Sequence, residues 1–321
     1  VANTREKSVP HLVQKSDNQS KVVIIGAGPA GLEAARVCGE RGHKVILIEA
    51  ASTLGGQVRL ASMAEVRKDL IGVIDWLESE IKHLNIEIRL QQYADANYVI
   101  NEDPDIVIIA TGGIPDLEYI EGLEDCFSTW DVLSGQALLQ NLGLPKESEP
   151  NTVLVYDDHG QHQAASTVIE IAKRGYQVEL ITPDRHMAAE MGSSNFPMYM
   201  KNFKDYNVAV TPDFRLVDVS RSGNKLMARF SCDYGGHIVE KLVDHIVIEH
   251  GTVPMDELYQ ELCGKSINNG ITDIQSIIGN HSQPYAESKI GGFNLYRVGD
   301  AVASRNIHAA IFDSRRLCQN F

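Results

Sequence analysis

The stretch Lys21–Ala50, KVVIIGAGPAGLEAARVCGERGHKVILIEA, constrains the fold more than any other part of the chain. The apolar run Val22–Ile25 leads into Gly26-Ala27-Gly28-Pro29-Ala30-Gly31, and that turn opens a helix-period segment reaching about Arg41. A second apolar run, Val45–Ile48, ends on Glu49. Strand, glycine turn, helix and strand in this order make a βαβ unit. The three glycines serve separate physical ends. Gly26 permits a tight turn, Gly28 lets backbone approach a pyrophosphate, and Gly31 allows the helix to close on the strand. A pyrophosphate at this turn meets free N–H groups at the helix start, where the macrodipole favours negative charge. Pro29 and Ala30 belong to the same contact surface. Glu49, 18 residues beyond Gly31, offers a carboxylate that can accept hydrogen bonds from both hydroxyls of a ribose. A GxGxxG run by itself is a common glycine-rich turn; after a strand, before a helix and followed by this acid, it points to an adenosine-diphosphate moiety.

The chain's 321 residues suit two domains with substantial cores, and 43% hydrophobic with 22% charged residues describes an ordinary globular protein. A net charge of −14 argues against nucleic acid or an anionic membrane as the main partner. No apolar run reaches membrane-spanning length and no signal-peptide pattern opens the chain. Cys38, Cys126, Cys232, Cys263 and Cys318 are scattered without a CxxC, which fits a reducing cytoplasm and excludes both a redox dithiol and a clustered-cysteine iron–sulfur centre on this chain. The first twenty residues are polar and read as a linker, with Val9–Val13 as an apolar foothold. Beginning at Val1, the sequence reads as a piece of something longer, or as a chain that has lost its initiator methionine.

Further along, Leu54-Gly55-Gly56-Gln57 lets backbone pass close to a bulky ligand, and a helix-period segment covers Met63–Leu84. Ile86–Leu90 and Asp105–Ala110 read as strands, the latter ending in Thr111-Gly112-Gly113, where chain crosses beneath a bound dinucleotide. A helix is expected over Ser128–Leu142 and a polar connector over Pro145–Asn151.

A second βαβ unit then follows: Thr152–Tyr156, a helix through Arg174, and Gln177–Ile181. Counted from the strand, its three glycine positions hold Asp157, His159 and His162. Counted back from the shared Arg-Gly pair, they hold His159, Gln161 and Ala164. Neither register keeps the fingerprint, and Asp157 and Asp158 put like charges where a pyrophosphate would lie. Thr182 stands where the first unit has Glu49. The second domain therefore keeps the fold of a nicotinamide-binding domain without its chemistry. The spacing of His159 and His162 is no zinc pattern, so no metal site is expected, only a polar loop whose groups bond locally.

Strands from Phe214 to Ile248, separated by Ser222-Gly223-Asn224 and Tyr234-Gly235-Gly236, read as an antiparallel meander, after which Gly251-Thr252 returns toward the first domain. Finally a strand over Phe293–Arg297 meets Val298-Gly299-Asp300-Ala301 and a helix from about Asn306 to Cys318. Asp300 can accept hydrogen bonds from ribityl hydroxyls, and that helix would aim its positive end at a flavin ring. An ordinary nicotinamide dehydrogenase needs no such returning piece, so the set favours FAD over NAD.

Val22–Glu49, Gly55–Gln57, Ala110–Gly113 and Gly299–Asp300 together resemble the pyridine-nucleotide disulfide oxidoreductase superfamily of flavoproteins. More narrowly, the chain is similar to the C-terminal flavoprotein half of the trimethylamine dehydrogenase, histamine dehydrogenase and 2,4-dienoyl-CoA reductase group, related to old yellow enzyme. The loop Tyr156–Gly160 and the ending SRNIHAAIFD, Ser304–Asp313, resemble its N-methylproline and dimethylglycine demethylases. The resemblance implies an α/β fold of two Rossmann-like domains, the second inserted in the first, with a small antiparallel β layer. The expected division is a 1-20 linker, 21-150 plus 280-321 for FAD or ADP, and 151-279 for the degenerate NAD(P)-like domain.

It further implies an N-terminal barrel, absent here, carrying FMN and a 4Fe-4S cluster, with amine oxidation at the FMN and electrons passing to an electron-transfer flavoprotein. The cofactor-binding set is Gly26, Gly28, Pro29, Ala30, Gly31, Glu49, Gly56, Gln57, Ala110, Thr111, Gly112, Gly299 and Asp300. Three functions stay open: an FAD- or ADP-holding module of an amine demethylase, a free-standing NAD(P)H-dependent FAD oxidoreductase, and an ADP-stapled module whose outer surface docks a partner; self-association into a homo-oligomer also stays open.

Overall fold

The computed structural model describes residues 12–135, 151–284 and 292–321, which divide into two compact units. One comprises the chain up to Arg59, Asp69–Ile114 and Thr252–Phe321; the other comprises Leu60–Lys68 and Pro115–Gly251. The sequence-based division set these crossings later, at 150 and 280. Packing explains the difference. Phe127 and Ser128 pair with Val247 and Ile248 in the second unit's sheet, and Leu123 and Cys126 join its core. Leu262 instead packs with Val23, Val107 and Leu295 in the core of the first. Residues 13–20 are also more than a tether: Val13 packs on that core, Ser16 N–H donates to the Arg41 carbonyl and Ser20 N–H to His43 Nδ1. Residues 9–11 of the expected foothold lie outside the described residues.

The first unit is built on a five-stranded parallel sheet in the order Asn294–Arg297, Ile106–Ile109, Lys21–Ile25, Lys44–Ile48, Ile86–Arg89. Its central strands are unbroken Val/Ile runs because both faces are covered. Val22, Val23 and Ile24 are fully buried, each contributing about 1.5–3 kcal/mol relative to exposure. One face carries the helices Pro29–Arg41, Ile71–Lys82 and Ile307–Cys318; the other carries Ala96, Val99 and Leu262. Proline at its start and Gly42 at φ +94 at its end delimit the first of these helices. The single periodic segment expected over Met63–Leu84 resolves into Gln57–Met63, a 3-10 turn Glu65–Leu70, and Ile71–Lys82.

The second unit repeats the plan with Phe127–Ser128, His245–Glu249, Thr152–Asp157, Gln177–Ile181 and Ala209–Thr211 in parallel order. An antiparallel sheet, Phe214–Ser222, Lys225–Cys232 and Ile238–Val243, forms its other layer. The expected meander ran on to Ile248. The chain instead changes sheet at Asp244, whose Oδ2 accepts from Thr152 N–H at 2.9 Å and Thr152 Oγ1 at 2.8 Å. Ile238–Val243 alternates exposed and half-buried positions, as an edge strand does, while His245–Glu249 is almost continuously buried, as a central parallel strand is. The helix expected over Ser128–Leu142 is present as Thr129–Leu133, capped by Ser128; its remainder beyond 135 and most of the 145–151 connector lie outside the described residues.

Candidate functional site

In the first unit the glycine turn is held by contacts that admit no side chain at two positions. A Cβ on Gly26, at φ +98, would sit 2.3 Å from the Ala110 carbonyl oxygen, and one on Gly31 would sit 1.9 Å from that of Gly26. A Cβ on Gly28 would meet nothing within 4 Å. The turn is therefore closed below and open at Gly28, which is also the uncapped N-terminal residue of the helix beginning at Pro29. Backbone N–H groups at that end have no side-chain cap and no acidic neighbour in the first turn. Ala30 lies beneath, where a Cβ on Gly299 (φ +65) would come within 2.7 Å of it.

Glu49 ends the adjacent strand with its carboxylate fixed by backbone: Oε2 accepts from Ala27 N–H at 2.7 Å and Oε1 from Ala51 N–H at 2.8 Å. Each oxygen keeps a lone pair for a further donor. Ala110 N–H donates to the Ile25 carbonyl at 2.7 Å, Thr111 Oγ1 donates to the Met255 carbonyl, and Gly112 (φ +77) accepts from Met255 N–H at 3.0 Å. The Gly55-Gly56 pair runs over the turn, with Gly55 N–H on the Ala27 carbonyl at 2.8 Å and a Gly56 Cβ position 3.1 Å from Gly28 Cα. Gln57 Nε2 donates to Asp300 Oδ2 at 3.3 Å and to the Gly113 carbonyl at 3.5 Å. Asp300 Oδ1 accepts from Arg305 N–H at 3.2 Å, just before Asn306 caps the helix Ile307–Cys318. All thirteen residues singled out from the sequence thus lie in one unit.

The corresponding edge of the second unit is filled. Strand pairing equates Ile25–Ile48 with Tyr156–Ile181, and helix starts equate Gly28 with Gln161. Asp157, Asp158, His159 and Gly160 therefore replace Gly26 and Ala27, so the loop is longer and both sequence registers hold, one at each end. Asp157 is fully buried; its Oδ1 accepts from His159 N–H at 3.2 Å and Gly160 N–H at 3.0 Å, and burial pushes its pKa up to about 7. The loop does not bond only locally. His159 Nδ1 lies 3.0 Å from Glu249 Oε1, and His250 Nδ1 lies 2.6 Å from Asp158 Oδ1. Glu249 also accepts from Thr129 Oγ1 and from Gly251 N–H at 3.2 Å, and the His250 ring stacks on Tyr119 at 3.5 Å.

His162, by contrast, contacts Tyr199 Oη at 3.1 Å, and burial pulls its pKa down to about 4. Thr182 is wholly buried and accepts from Asp184 N–H at 3.1 Å, so its hydroxyl serves the loop rather than a ribose. Glu249, His250, Tyr119 and Thr129 were not singled out from sequence. The repeat itself carried the signal for two of them. Glu249-His250-Gly251 occupies the place of Ala110-Thr111-Gly112, with Gly251 and Gly112 both at φ +77.

Residues 20–276 match the sequence pattern of the pyridine nucleotide-disulphide oxidoreductase family. The chain belongs to that family. As a pyridine nucleotide-disulphide oxidoreductase it is 43% identical over 322 residues to a protein described as a probable N-methylproline demethylase of Rhizobium meliloti (strain 1021), covering 100% of this chain and 46% of that one. It is 39% identical over 319 residues to a multifunctional alkene reductase/demethylase of Caballeronia cordobensis, covering 99% of this chain and 46% of the relative. Its fold matches the structure of histamine dehydrogenase from Rhizobium sp. 4-9 with a TM-score of 0.78 at 21% identity, over 96% of this chain and 44% of that one. The chain thus spans about half the length of the curated relatives it matches.

The cysteines among the described residues are free: Cys38, Cys126 and Cys318 are buried, burial and a side-chain contact with Cys38 raise the Cys318 thiol, and burial pushes the Cys126 thiol up to about 12. Among the same residues, no group of three His, Cys, Asp or Glu side chains is placed to hold a metal ion, and no helix is long and apolar enough to cross a membrane.

Proposed function

We propose that this chain is the dinucleotide-binding module of a flavin-dependent amine demethylase or dehydrogenase, holding FAD in the first unit while amine oxidation takes place on protein outside this chain. The observation that carries the reading is the open face at Gly28, bounded at one end by the Glu49 carboxylate and at the other by Gln57 and Asp300. Gly26, Gly28, Pro29, Ala30 and Gly31 would hold the pyrophosphate, whose charge the uncapped helix start favours. Glu49 would take the adenosine ribose. Asp300 would accept from ribityl hydroxyls, with Gln57 holding its carboxylate in place and Gly56, Ala110, Thr111 and Gly112 lining the path between. FAD, when bound, supplies reversible electron storage.

The half-length match supports a missing N-terminal domain in the full protein, where FMN and a 4Fe-4S cluster belong in this reading, with an electron-transfer flavoprotein as acceptor. Asp157–Gly160 and Glu249 count against a free-standing NAD(P)H-dependent reductase, because they put carboxylates and imidazoles where that nucleotide's pyrophosphate would need bare backbone. The purified chain, denatured and analysed by absorbance and mass, is expected to release FAD. Release of ADP alone from a colourless protein would leave the cradle assignment and remove the flavin. Under anaerobic mixing with NADH the flavin is expected to stay oxidised; rapid bleaching would make the second unit a working nucleotide site.

A further inference from the structure

Two loops meet at the C-terminal end of the second unit's sheet, one following Thr152–Asp157 and the other following its neighbour His245–Glu249. The exchange between them is reciprocal. His159 of the first faces Glu249 across 3.0 Å, and His250 of the second faces Asp158 across 2.6 Å. A single backbone bond, Asp158 N–H to the Glu249 carbonyl at 3.3 Å, runs between the pairs. We propose that these crossed pairs are a proton-operated clamp, fastening loop 157–161 to residues 249–251 while both imidazoles are charged and loosening as they become neutral.

The surroundings support the charged state. His159 is faced by Glu249, Asp157 and Asp158. His250 is faced by Asp158, by Asp116 at 4.0 Å from its Nε2, and by the Tyr119 ring, with His159 as the opposing charge. Arg67 adds positive charge near Glu249, and Asp184 adds negative charge near Asp158. The hydrogen bond to Glu249 holds His159 above its ordinary 6.5, and the bond to Asp158 does the same for His250.

A group whose pKa is raised on folding contributes stability that is complete below the unfolded value and lost as pH rises through the folded one. Both imidazoles obey this, and so does Asp157, raised by burial to about 7. All three therefore loosen the loops on the alkaline side. His162 and His245, both lowered by burial, have the opposite sign: their contribution is present above 6.5 and lost as pH falls below it.

The test is amide hydrogen exchange on the whole chain at about pH 6 and about pH 8.5, corrected for intrinsic exchange, with protection read as local opening. Amides of 157–163 and 249–252 should lose protection at the higher pH, in the direction set by the raised imidazoles. The first unit's strands should show no such change. In a His159→Gln/His250→Gln/Asp157→Asn triple variant the ratio of protection at the two pH values should fall to near one, and in the His159→Gln/His250→Gln double variant it should fall partway, to what Asp157 alone contributes. A parent-like ratio in the double variant, or no loss in the parent, overturns the clamp. Should the variants not fold, histidine NMR of the parent decides: two imidazoles titrating above 6.5 support the proposal, and titration of both at or below 6.5 overturns it.

Discussion

The two nucleotide-type units share a backbone and differ in their loops. In each, a central parallel strand ends at a turn into a helix, and the strand paired beside it ends shortly before a glycine at φ +77, three residues before Gly112 in one and two before Gly251 in the other. In the first, Ala110 lets Gly26 and Gly31 close beneath an open Gly28. In the second, Glu249 stands in Ala110's place and the longer loop folds down onto it through His159. The difference teaches that ladder hydrogen bonds and buried Val/Ile runs preserve the fold, while a handful of turn residues decide whether the turn at the strand end is open or filled. Fold and site are separable here, and substitutions should separate them.

The largest expected effect comes from the contrast between two glycines of one turn. Gly31→Ala would drive a Cβ to 1.9 Å from a backbone oxygen that cannot rotate away. Overpacking of this kind costs about 1–3 kcal/mol or more, so denaturant melts should show a clear loss of stability. Gly28→Val places its Cβ in open space at an ordinary φ of −71, so stability should barely change. Its side chain would occupy the pyrophosphate's approach, and nucleotide content should drop from stoichiometric to background. A Gly28→Val protein that retains its nucleotide would contradict the assignment outright.

Much of this contrast was legible in the sequence, for physical reasons. Glycines whose Cβ would strike backbone leave a fixed spacing, and strands buried on both faces leave unbroken apolar runs, so the sheet of the first unit and its glycine turn could be read directly. Asp244 was harder. Only the change from alternation (Ile238–Val243) to a continuous run (His245–Glu249) marked the passage from one sheet to another, and both stretches favour strands. The pairing of His159 with Glu249 depends on two strands becoming neighbours, and no local pattern announces a contact across that separation. Aligning the two repeats one strand further would have exposed Glu249 opposite Ala110.

A smaller effect sharpens the role of Glu49. Its carboxylate is already engaged by the N–H groups of Ala27 and Ala51, so it has a structural and a binding task. Glu49→Gln keeps the shape, removes the charge and leaves one of the two backbone N–H donors facing an amide nitrogen that cannot accept. Hydrogen bonds to charged groups are worth about 1.5–3 kcal/mol, so affinity for FAD and for ADP should fall about tenfold to a hundredfold, measured by titration of the nucleotide-free chain. Equal losses for both nucleotides are expected because the ribose they share is what this residue would touch. A loss confined to FAD would move Glu49 away from the adenosine end.

The smallest effect should come from His159→Ala. The substitution breaks one of the crossed pairs yet leaves Glu249 with Thr129 and the Gly251 N–H as donors, so the carboxylate is not stranded. Destabilisation should be about 1 kcal/mol, below the usual range for a bond to a charged group because the carboxylate retains other partners. Nucleotide content should not move at all, because every residue assigned to nucleotide binding lies in the other unit. Loss of bound FAD in this variant would mean that the filled loop, and not the open one, governs cofactor retention, and the contrast between the two units would have to be read the other way round.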